Sequence, residues 1–314
     1  MSVLVTGATG FLGSALIPQL LAKGDKVIAL VRDKEKAKRL LPQEVKVVEG
    51  DIIKPNLGIE NVPKDVKAVI HCAALLSFSS KDKDRLYEVN YRGTFNLLEW
   101  MRQNKIRRLF HISTAYLFNQ NHYEISKQMA EEVINHYLEI KTTIFRPSII
   151  IADSKLQGLP PLSGFYLGIK AIDQTKRWFE SRTSLPPLRV KVRLKANPNN
   201  KLNLIPIDIV SESIVKVVGE DKGGIFYLCH PDPPTLKSLE KPISNAVGAD
   251  IEVNRDFEPN IVDRLASLLM KGLSPYLLRE YNLPSDIDCP PLTHEFLAET
   301  IKRFLNHYPP RSLV

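Results

Sequence analysis

Tyr123-Glu-Ile-Ser-Lys127 sets a phenol and an ammonium four residues apart. On a helix that spacing brings both side chains to one face. A free phenol has a pKa of ~10, and a neighbouring cation stabilises the phenolate and lowers that value. Such a pair can exchange a proton near neutral pH. Upstream, Arg108–Ile112 reads as an apolar strand that ends in Ser113-Thr114-Ala-Tyr116. A hydroxyl at that strand end can hydrogen-bond a reacting carbonyl oxygen. The third chemical feature is Thr6-Gly-Ala-Thr-Gly-Phe-Leu-Gly13, with glycines at 7, 10 and 13.

These groups need a frame that brings them together, and the hydrophobic pattern of the first 150 residues supplies one. Apolar runs at Ser2–Thr6, Lys26–Val31, Val45–Val48, Ala68–Cys72, Arg108–Ile112 and Thr142–Phe145 predict strands. Helical spacing at Phe11–Lys23, Glu35–Leu41, Asp84–Gln103 and Tyr123–Tyr137 predicts helices. Pro18 predicts a local kink in the first helix, because an interior proline costs a hydrogen bond. Strands alternating with helices imply βαβ units, and near-continuous apolar strands imply a sheet covered on both faces. The expected fold is therefore α/β, with a doubly wound parallel sheet of the Rossmann type. Ligands of such sheets bind at the carboxyl ends of the strands.

The glycine loop falls between the first strand and the first helix. There Gly7 allows a tight turn, Gly10 lets a pyrophosphate approach the backbone, and Gly13 lets helix pack on strand. The helix N-terminus then supplies N–H groups and dipole to the diphosphate. Around it, Thr9, Phe11 and Leu12 complete the expected loop contacts. The second strand ends Ala29-Leu-Val-Arg32, where an NAD enzyme usually places an acid for the ribose. A forked guanidinium there favours a phosphate. Lys34, Lys36, Lys38 and Arg39 follow, so NADP(H) is expected ahead of NAD(H). Asp51, followed by Ile52 after the third strand, is placed to accept from the adenine amino group. Lys127 can hold ribose hydroxyls as well as tune Tyr123.

Composition excludes several classes. The 314 residues carry 43 Lys+Arg against 35 Asp+Glu, a formal charge of +8, with 44% hydrophobic and 25% charged residues. This is a globular balance, not a disordered, collagenous or disulfide-scaffold one. The charge excess is local: residues 1–150 hold 22 basic and 16 acidic residues. It indicates neither nucleic acid nor membrane surface. Cys72, Cys229 and Cys289 have no metal or redox spacing. No run reaches ~18 apolar residues, and the first residues read as a strand instead of a leader, so a cytoplasmic protein is expected.

Beyond residue 150 the texture changes. Gly158-Leu-Pro-Pro161, Pro186-Pro187, Pro233-Pro234 and Pro290-Pro291 punctuate shorter patterned pieces. Domains at 1–150 and 151–314 are expected, the second a smaller irregular α+β substrate lobe that can return strands to the main sheet. Arg189-Val-Lys-Val-Arg-Leu-Lys195 alternates basic with apolar and predicts a strand with one wet face. Leu202–Ile207 is its expected hairpin partner, across the turn-rich Asn197–Lys201. His294–Tyr308 reads as a closing amphipathic helix.

The sequence resembles the short-chain dehydrogenase/reductase superfamily in its extended form. The matching pieces are Thr6–Gly13, Gly50-Asp51, His71-Cys-Ala-Ala74, Asn90 with Gly93-Thr94, Ser113-Thr114, Tyr123/Lys127 and Arg146-Pro147-Ser148. Within it, His71-Cys-Ala-Ala74, His111-Ile-Ser-Thr-Ala-Tyr116 and Leu202-Asn-Leu-Ile-Pro-Ile-Asp208 resemble the fatty acyl-CoA reductase and thioester-reductase branch. Phe226-Tyr-Leu-Cys-His-Pro231 has the look of that branch's lobe strand. The resemblance implies that Tyr123 donates the proton, Lys127 lowers its pKa and holds the nicotinamide ribose, and Thr114, ahead of Ser113, steadies the carbonyl. It implies that Asn90 supports a water relay. Cys72, Ala73 and Ala74 join the cofactor contacts, and Pro147 and Ser148 flank the nicotinamide carboxamide. One departure stands out: Tyr123 follows Thr114 by only nine positions, where extended members usually carry a longer loop. His122 is expected at the rim.

The implied activity is NADPH-dependent reduction of a carbonyl, in an acyl thioester or its derived aldehyde. The substrate would be a small molecule or an acyl group on coenzyme A or acyl carrier protein. Residues 176–201 hold eight basic side chains and one acid, a candidate landing surface for such a carrier. Alternatives are a ketone or alcohol oxidoreductase of hydroxysteroid or flavonoid type, a nucleotide-sugar epimerase, and a nonenzymatic NADP sensor.

Overall fold

A computed structural model describes residues 1–60, 63–156, 164–183 and 189–308. The proline pairs at 160–161 and 186–187 lie outside the described residues. The chain forms two units. The first comprises Met1–Ser148, Ile207–Leu228 and Ser285–Ile287. The second comprises Ile149–Pro206, Cys229–Pro284 and Asp288–Val314.

In the first unit, strands β1 (Ser2–Thr6), β2 (Lys26–Val31), β3 (Lys46–Glu49), β4 (Ala68–His71), β5 (Arg108–Ile112), β6 (Lys141–Pro147) and β10 (Gly224–Leu228) make one sheet. Their spatial order is β10-β6-β5-β4-β1-β2-β3. Every pairing in it is parallel. The order reverses at β1, whose neighbours are β2 and β4, which is the topological switch point where ligands of such sheets bind. Buried β-branched and leucine side chains on β1, β2 and β4 account for near-total strand burial. This is the doubly wound α/β sheet that the alternating pattern predicts.

Helices α1 (Phe11–Ala22), α2 (Lys34–Leu40), α3 (Lys83–Leu86), α4 (Gly93–Gln103), α5 (His122–Ile134) and α7 (Ile207–Gly219) belong to the same unit. Helix α1 runs continuously through Pro18, which sits on its exposed side. The expected single helix over 84–103 is interrupted by a π-helical stretch, Tyr87–Arg92, between α3 and α4. Wider turns of this kind are frequent at functional sites, and Asn90 lies within it. Under this side of the sheet Trp100, Leu97, Leu98 and Met101 of α4 join Leu4, Val69 and Leu109 in one apolar core.

The second unit has its own core, in which Tyr166, Ile169 and Ile172 of α6 (Phe165–Glu180) meet Ile301 and Phe304 of α11 (His294–His307). It holds two short parallel pairs, β7 (Ile149–Ile151) with β9 (Leu204–Pro206), and β8 (Lys191–Lys195) with β11 (Asp250–Asn254). Helices α8 (Leu236–Val247), α9 (Ile261–Leu269) and α10 (Ser274–Leu278) complete it.

Two sequence expectations are corrected here. The strand at 191–195 does alternate buried and exposed residues, but Leu202–Ile207 is not its hairpin partner. Its partner is β11, whose acidic and apolar residues alternate in step. Lys191 pairs with Glu252 at 2.5 Å and Arg189 with Asp250 at 3.6 Å. The turn at 197–201 instead receives the start of α8, through Leu236 N–H to the Asn200 carbonyl and Lys237 N–H to that of Pro198. Phe226–Leu228, expected in a lobe strand, lies in β10 at the edge of the main sheet.

Candidate active site

Parallel pairing sets the register of the strand ends. Thr6 lies beside His71, His71 beside His111, and Ile112 beside Phe145. The segments that follow, 7–13, 72–74, 113–114 and 148, therefore leave the sheet at one edge. Most of the expected site residues lie there.

Gly7 has φ +65°, and a Cβ on it would lie 2.6 Å from the Ala73 nitrogen. A Cβ on Gly13 would lie 2.3 Å from the Gly7 carbonyl oxygen. Both glycines are forced by contacts within the protein. Gly10 is exposed, and a Cβ there would approach only the Gly7 oxygen, at 3.0 Å. It caps α1 with no side-chain bond, and no acid occupies the first turn. The Gly10 N–H closes the turn on the Gly7 carbonyl at 2.9 Å, and the uncapped helix start behind it fits a diphosphate. Thr9, Phe11 and Leu12 are half-buried around it. The Cys72 N–H reaches the Thr6 carbonyl, and the Ala73 N–H the Thr6 hydroxyl, so the glycine turn and the 72–74 segment are tied together. Burial pushes the Cys72 thiol up to about 12, which leaves it inert as a nucleophile.

Beyond β2 and β3 lies a cavity of about 590 Å³, lined by Arg32, Lys34, Lys46, Asp51 and Lys54 among others. The acid that follows Arg32 is committed elsewhere, since the Asp33 carboxylate caps α2 by accepting from the Lys36 N–H. Glu35 pairs with Lys38, and Glu49 with Lys34. Arg39 is not in this lining; it sits in the last turn of α2. Ile52 turns inward against Gly93 and offers its carbonyl to Asn96.

Helix α5 carries the Tyr-Lys pair. Asn121 caps it, accepting from the Glu124 N–H at 3.0 Å. Glu124 is fully buried and accepts the N–H groups of Phe118 and Gln120, both at 3.0 Å. The short 114–123 loop is cinched by the residue beside Tyr123. Thr114 accepts from the Tyr116 N–H, and His122 lies at the start of α5 with Nδ1 3.4 Å from the Tyr87 hydroxyl. Lys127 is buried, and its ammonium donates to the Ile112 carbonyl at 2.6 Å. Its Nζ lies 3.5 Å from His111 Nε2. Burial draws this amine down to about 8, against the pull of Glu131. Tyr123 differs from the expectation. Burial, then the charge of Glu124, pushes its phenol above the ordinary value.

Asn90 lies behind these groups. Its Nδ2 donates to the Leu75 carbonyl and to Ser126 Oγ, both at 2.9 Å, while Oδ1 accepts from the Leu75 N–H at 2.7 Å. These bonds clamp Leu75 to α5. Among the described residues, the hydroxyls of Ser113 and Ser148 are buried without a partner. Pro147 ends β6 just before Ser148, whose N–H bonds the Leu228 carbonyl. Two unpartnered hydroxyls at the strand ends fit a polar cofactor and substrate.

Two family models match this chain. The NAD dependent epimerase/dehydratase family covers residues 3–158, and the male sterility protein family covers residues 118–214. The chain belongs to the extended short-chain dehydrogenase/reductase superfamily. This superfamily comprises NAD(P)-dependent oxidoreductases and epimerases. Sterol demethylase protein B of Methylococcus capsulatus is 36% identical over 114 residues, covering 36% of this chain and 34% of that protein. Fatty acyl-CoA reductase 1 of Rattus norvegicus is 28% identical over 152 residues, covering 38% of this chain and 29% of that one. The match thus spans about a third of the length of these curated relatives. A thiolation-reductase di-domain from an archaeal non-ribosomal peptide synthetase shares the fold, with TM-score 0.71 and 16% identity over 98% of this chain and 75% of that one. No described helix of this superfamily member is long and apolar enough to cross a membrane.

The site residues that the sequence singles out lie in the first unit. Sequence reasoning assigned no role to His111, Glu124, Ser126 or Thr94, although each lies in a motif quoted above. An acid directly after Tyr123 was visible, but its use as a loop clamp was not. The histidine at 111 opens a quoted motif, but its contact with Lys127 had no sequence signal.

Proposed function

We propose that this protein is an NADPH-dependent reductase of a carbonyl, an acyl thioester or the aldehyde derived from it. The observation that carries the reading is Lys127 of the Tyr123/Lys127 pair on α5, buried and donating to the Ile112 carbonyl at the end of β5. The male sterility family match and the likeness to a fatty acyl-CoA reductase and a thiolation-reductase di-domain support the acyl substrate. Arg32 at the cavity, with Asp33 spent as a helix cap, supports the phosphorylated cofactor.

Gly7, Gly10 and Gly13 with Thr9, Phe11 and Leu12 would hold the diphosphate. Arg32 would hold the 2′-phosphate, Asp51 the adenine, and Lys127 the nicotinamide ribose. Cys72, Ala73, Ala74, Pro147 and Ser148 would flank the nicotinamide half. The cofactor, when bound, supplies the hydride for the carbonyl carbon. Tyr123 donates its proton to the carbonyl oxygen as negative charge develops there, and Thr114 or Ser113 hydrogen-bonds that oxygen, a combination of general-acid and electrostatic stabilisation. With a thioester, the resulting hemithioacetal separates into aldehyde and thiol.

Nucleotide-sugar epimerisation is the second reading, favoured by the epimerase/dehydratase family match. Arg32 speaks against it, since an enzyme that retains NAD would prefer an acid at that position. NADPH oxidation followed against a panel of acyl-CoAs, aldehydes and ketones tests the proposal. Turnover with an acyl-CoA or aldehyde is expected. Conversion of a UDP-sugar without net NADPH consumption would establish the second reading instead.

A further inference from the structure

Two buried histidines stand side by side beneath the site. His71 on β4 and His111 on β5 are register neighbours with ring centroids 5.3 Å apart. Their bonding differs. His71 has both nitrogens engaged, Nδ1 with the Thr6 hydroxyl at 2.7 Å and Nε2 with the Thr94 hydroxyl at 3.1 Å. Thr94 gives its own proton to the Asn90 carbonyl. Its oxygen therefore meets His71 only as an acceptor, so His71 Nε2 carries the hydrogen. Thr6 then donates to Nδ1. His71 is a neutral ring locked in one tautomer.

His111 is not locked from both sides. Its Nε2 faces the Lys127 ammonium at 3.5 Å, and its Nδ1 is buried without a partner among the described residues. An ammonium can only donate. Nε2 must then present its lone pair, and Nδ1 carries a hydrogen that nothing accepts. A buried unpaired N–H is costly, and the neighbouring strand residues Leu109, Phe110 and Ile112 show that apolar side chains suit this core. The ring is retained against that cost, and its one bond goes to Lys127.

We propose that His111 is a positioning residue for Lys127: a neutral imidazole that accepts from the ammonium and holds it toward the carboxyl end of β5. This rests on the reading of Tyr123 and Lys127 as the proton-handling pair. The groups that face the contact are Lys127 and Glu131 from α5, His71 from β4, Cys72 after it, and the Ile112 carbonyl from β5. Protonating His111 would set two cations 3.5 Å apart, so it stays neutral while Lys127 is charged.

Two measurements on the protein without added cofactor or substrate test this. Long-range nitrogen NMR of the wild-type protein should show His111 as the Nδ1–H tautomer; an Nε2–H ring would overturn the proposal without any substitution. Second, the Lys127 side-chain carbon, labelled and assigned with Lys127→Met, is titrated. Its midpoint is expected near about 8 in the wild type. His111→Phe should lower it by about one unit, a tenfold loss of proton affinity. His111→Gln, whose amide oxygen accepts, should restore it. A folded His111→Phe with an unchanged midpoint would refute the role. Neither readout uses turnover, so failure here is separable from failure of the catalytic reading, which substitution of Tyr123 addresses.

Discussion

Glu124 closes the loop in front of its neighbour Tyr123: one carboxylate oxygen takes the Phe118 and Gln120 N–H groups, each at 3.0 Å. The loop that enters α5 is thereby fixed from within the helix, and Asn121 secures the helix start. Removing the clamp by Glu124→Ala should cost about 1–3 kcal/mol of stability. It should also lower kcat more than it raises the KM for NADPH, because it loosens the donor and not the cofactor cradle. Glu124→Gln keeps an accepting oxygen and should retain most of both. Thermal unfolding with steady-state kinetics distinguishes the two.

Tyr123→Phe removes the proton donor and leaves the ring. NADPH affinity should stay within about twofold while turnover falls by roughly 10²–10⁴, the usual reach of general acid catalysis. Equal activity would refute the assignment and return the nonenzymatic NADP sensor to consideration. Arg32→Ala should weaken NADPH by roughly ten- to a hundredfold, as loss of a hydrogen bond to a charged group implies, with NADH unchanged. Calorimetric titration reads both. Wild-type binding of NADH as tight as NADPH would show that Arg32 does not read the phosphate.

Acid stability follows from the buried imidazoles. Desolvation, with a smaller push from Lys127, holds His71 at about 3 instead of 6.5. Between those values the unfolded chain binds a proton that the folded chain does not, so stability rises with pH across the window and is lost as pH falls from about 6.5 toward 3. His71 alone contributes a slope of about 1.4 kcal/mol per pH unit, and His111, also held well below its ordinary value by burial, acts in the same direction. His71→Gln should remove about one proton from the uptake on unfolding between pH 4 and 6. Urea titrations at several pH values measure it, and an unchanged slope would mean that His71 is charged in the fold.

The basic stretch at 176–201 changes meaning in the structure. Arg177 pairs with Asp173, Lys176 with Glu180, and Lys201 with Asp232. Arg193 gives Asp263 its backbone N–H, Nε and Nη2, and Asp263 is fully buried. A charge reversal here therefore tests stability before it tests a carrier surface. Arg193→Glu strands the buried carboxylate opposite a like charge and should cost roughly 3–5 kcal/mol. Arg189→Glu, at an exposed pair, should cost little. Denaturant midpoints for the two variants check this contrast.

How much was readable in advance depended on whether a feature is local. The six strands, the glycine turn and the Tyr-Lys spacing are periodic or contiguous signals, and the structure places them as expected. Asn90 was recognised, but its partners Leu75 and Ser126 lie 15 and 36 residues away. Neither its clamp nor the π-helical stretch that holds it has a periodic signature. His111 opens a recognisable motif, but its neighbour His71 is set only by the strand register. The 191–195 strand was correctly seen as one-sided. Its partner was misjudged because proximity in sequence suggested a hairpin, whereas the acidic alternation of 250–254 supplies the better electrostatic match.

Strand β10 carries a consequence for how the protein is made. Arg108, nearly buried on β5, bonds Asp221 and the Lys222 carbonyl, which come 113 and 114 residues later in the chain. Lys141 likewise waits for Asp221. As the chain leaves the ribosome, the first six strands can assemble, yet β6 keeps an open edge and Arg108 lacks its counter-charge until the next lobe's first portion has been synthesised. Open strand edges of that kind invite pairing with other chains. The nascent sheet therefore keeps this edge open until residues 221–228 have been made.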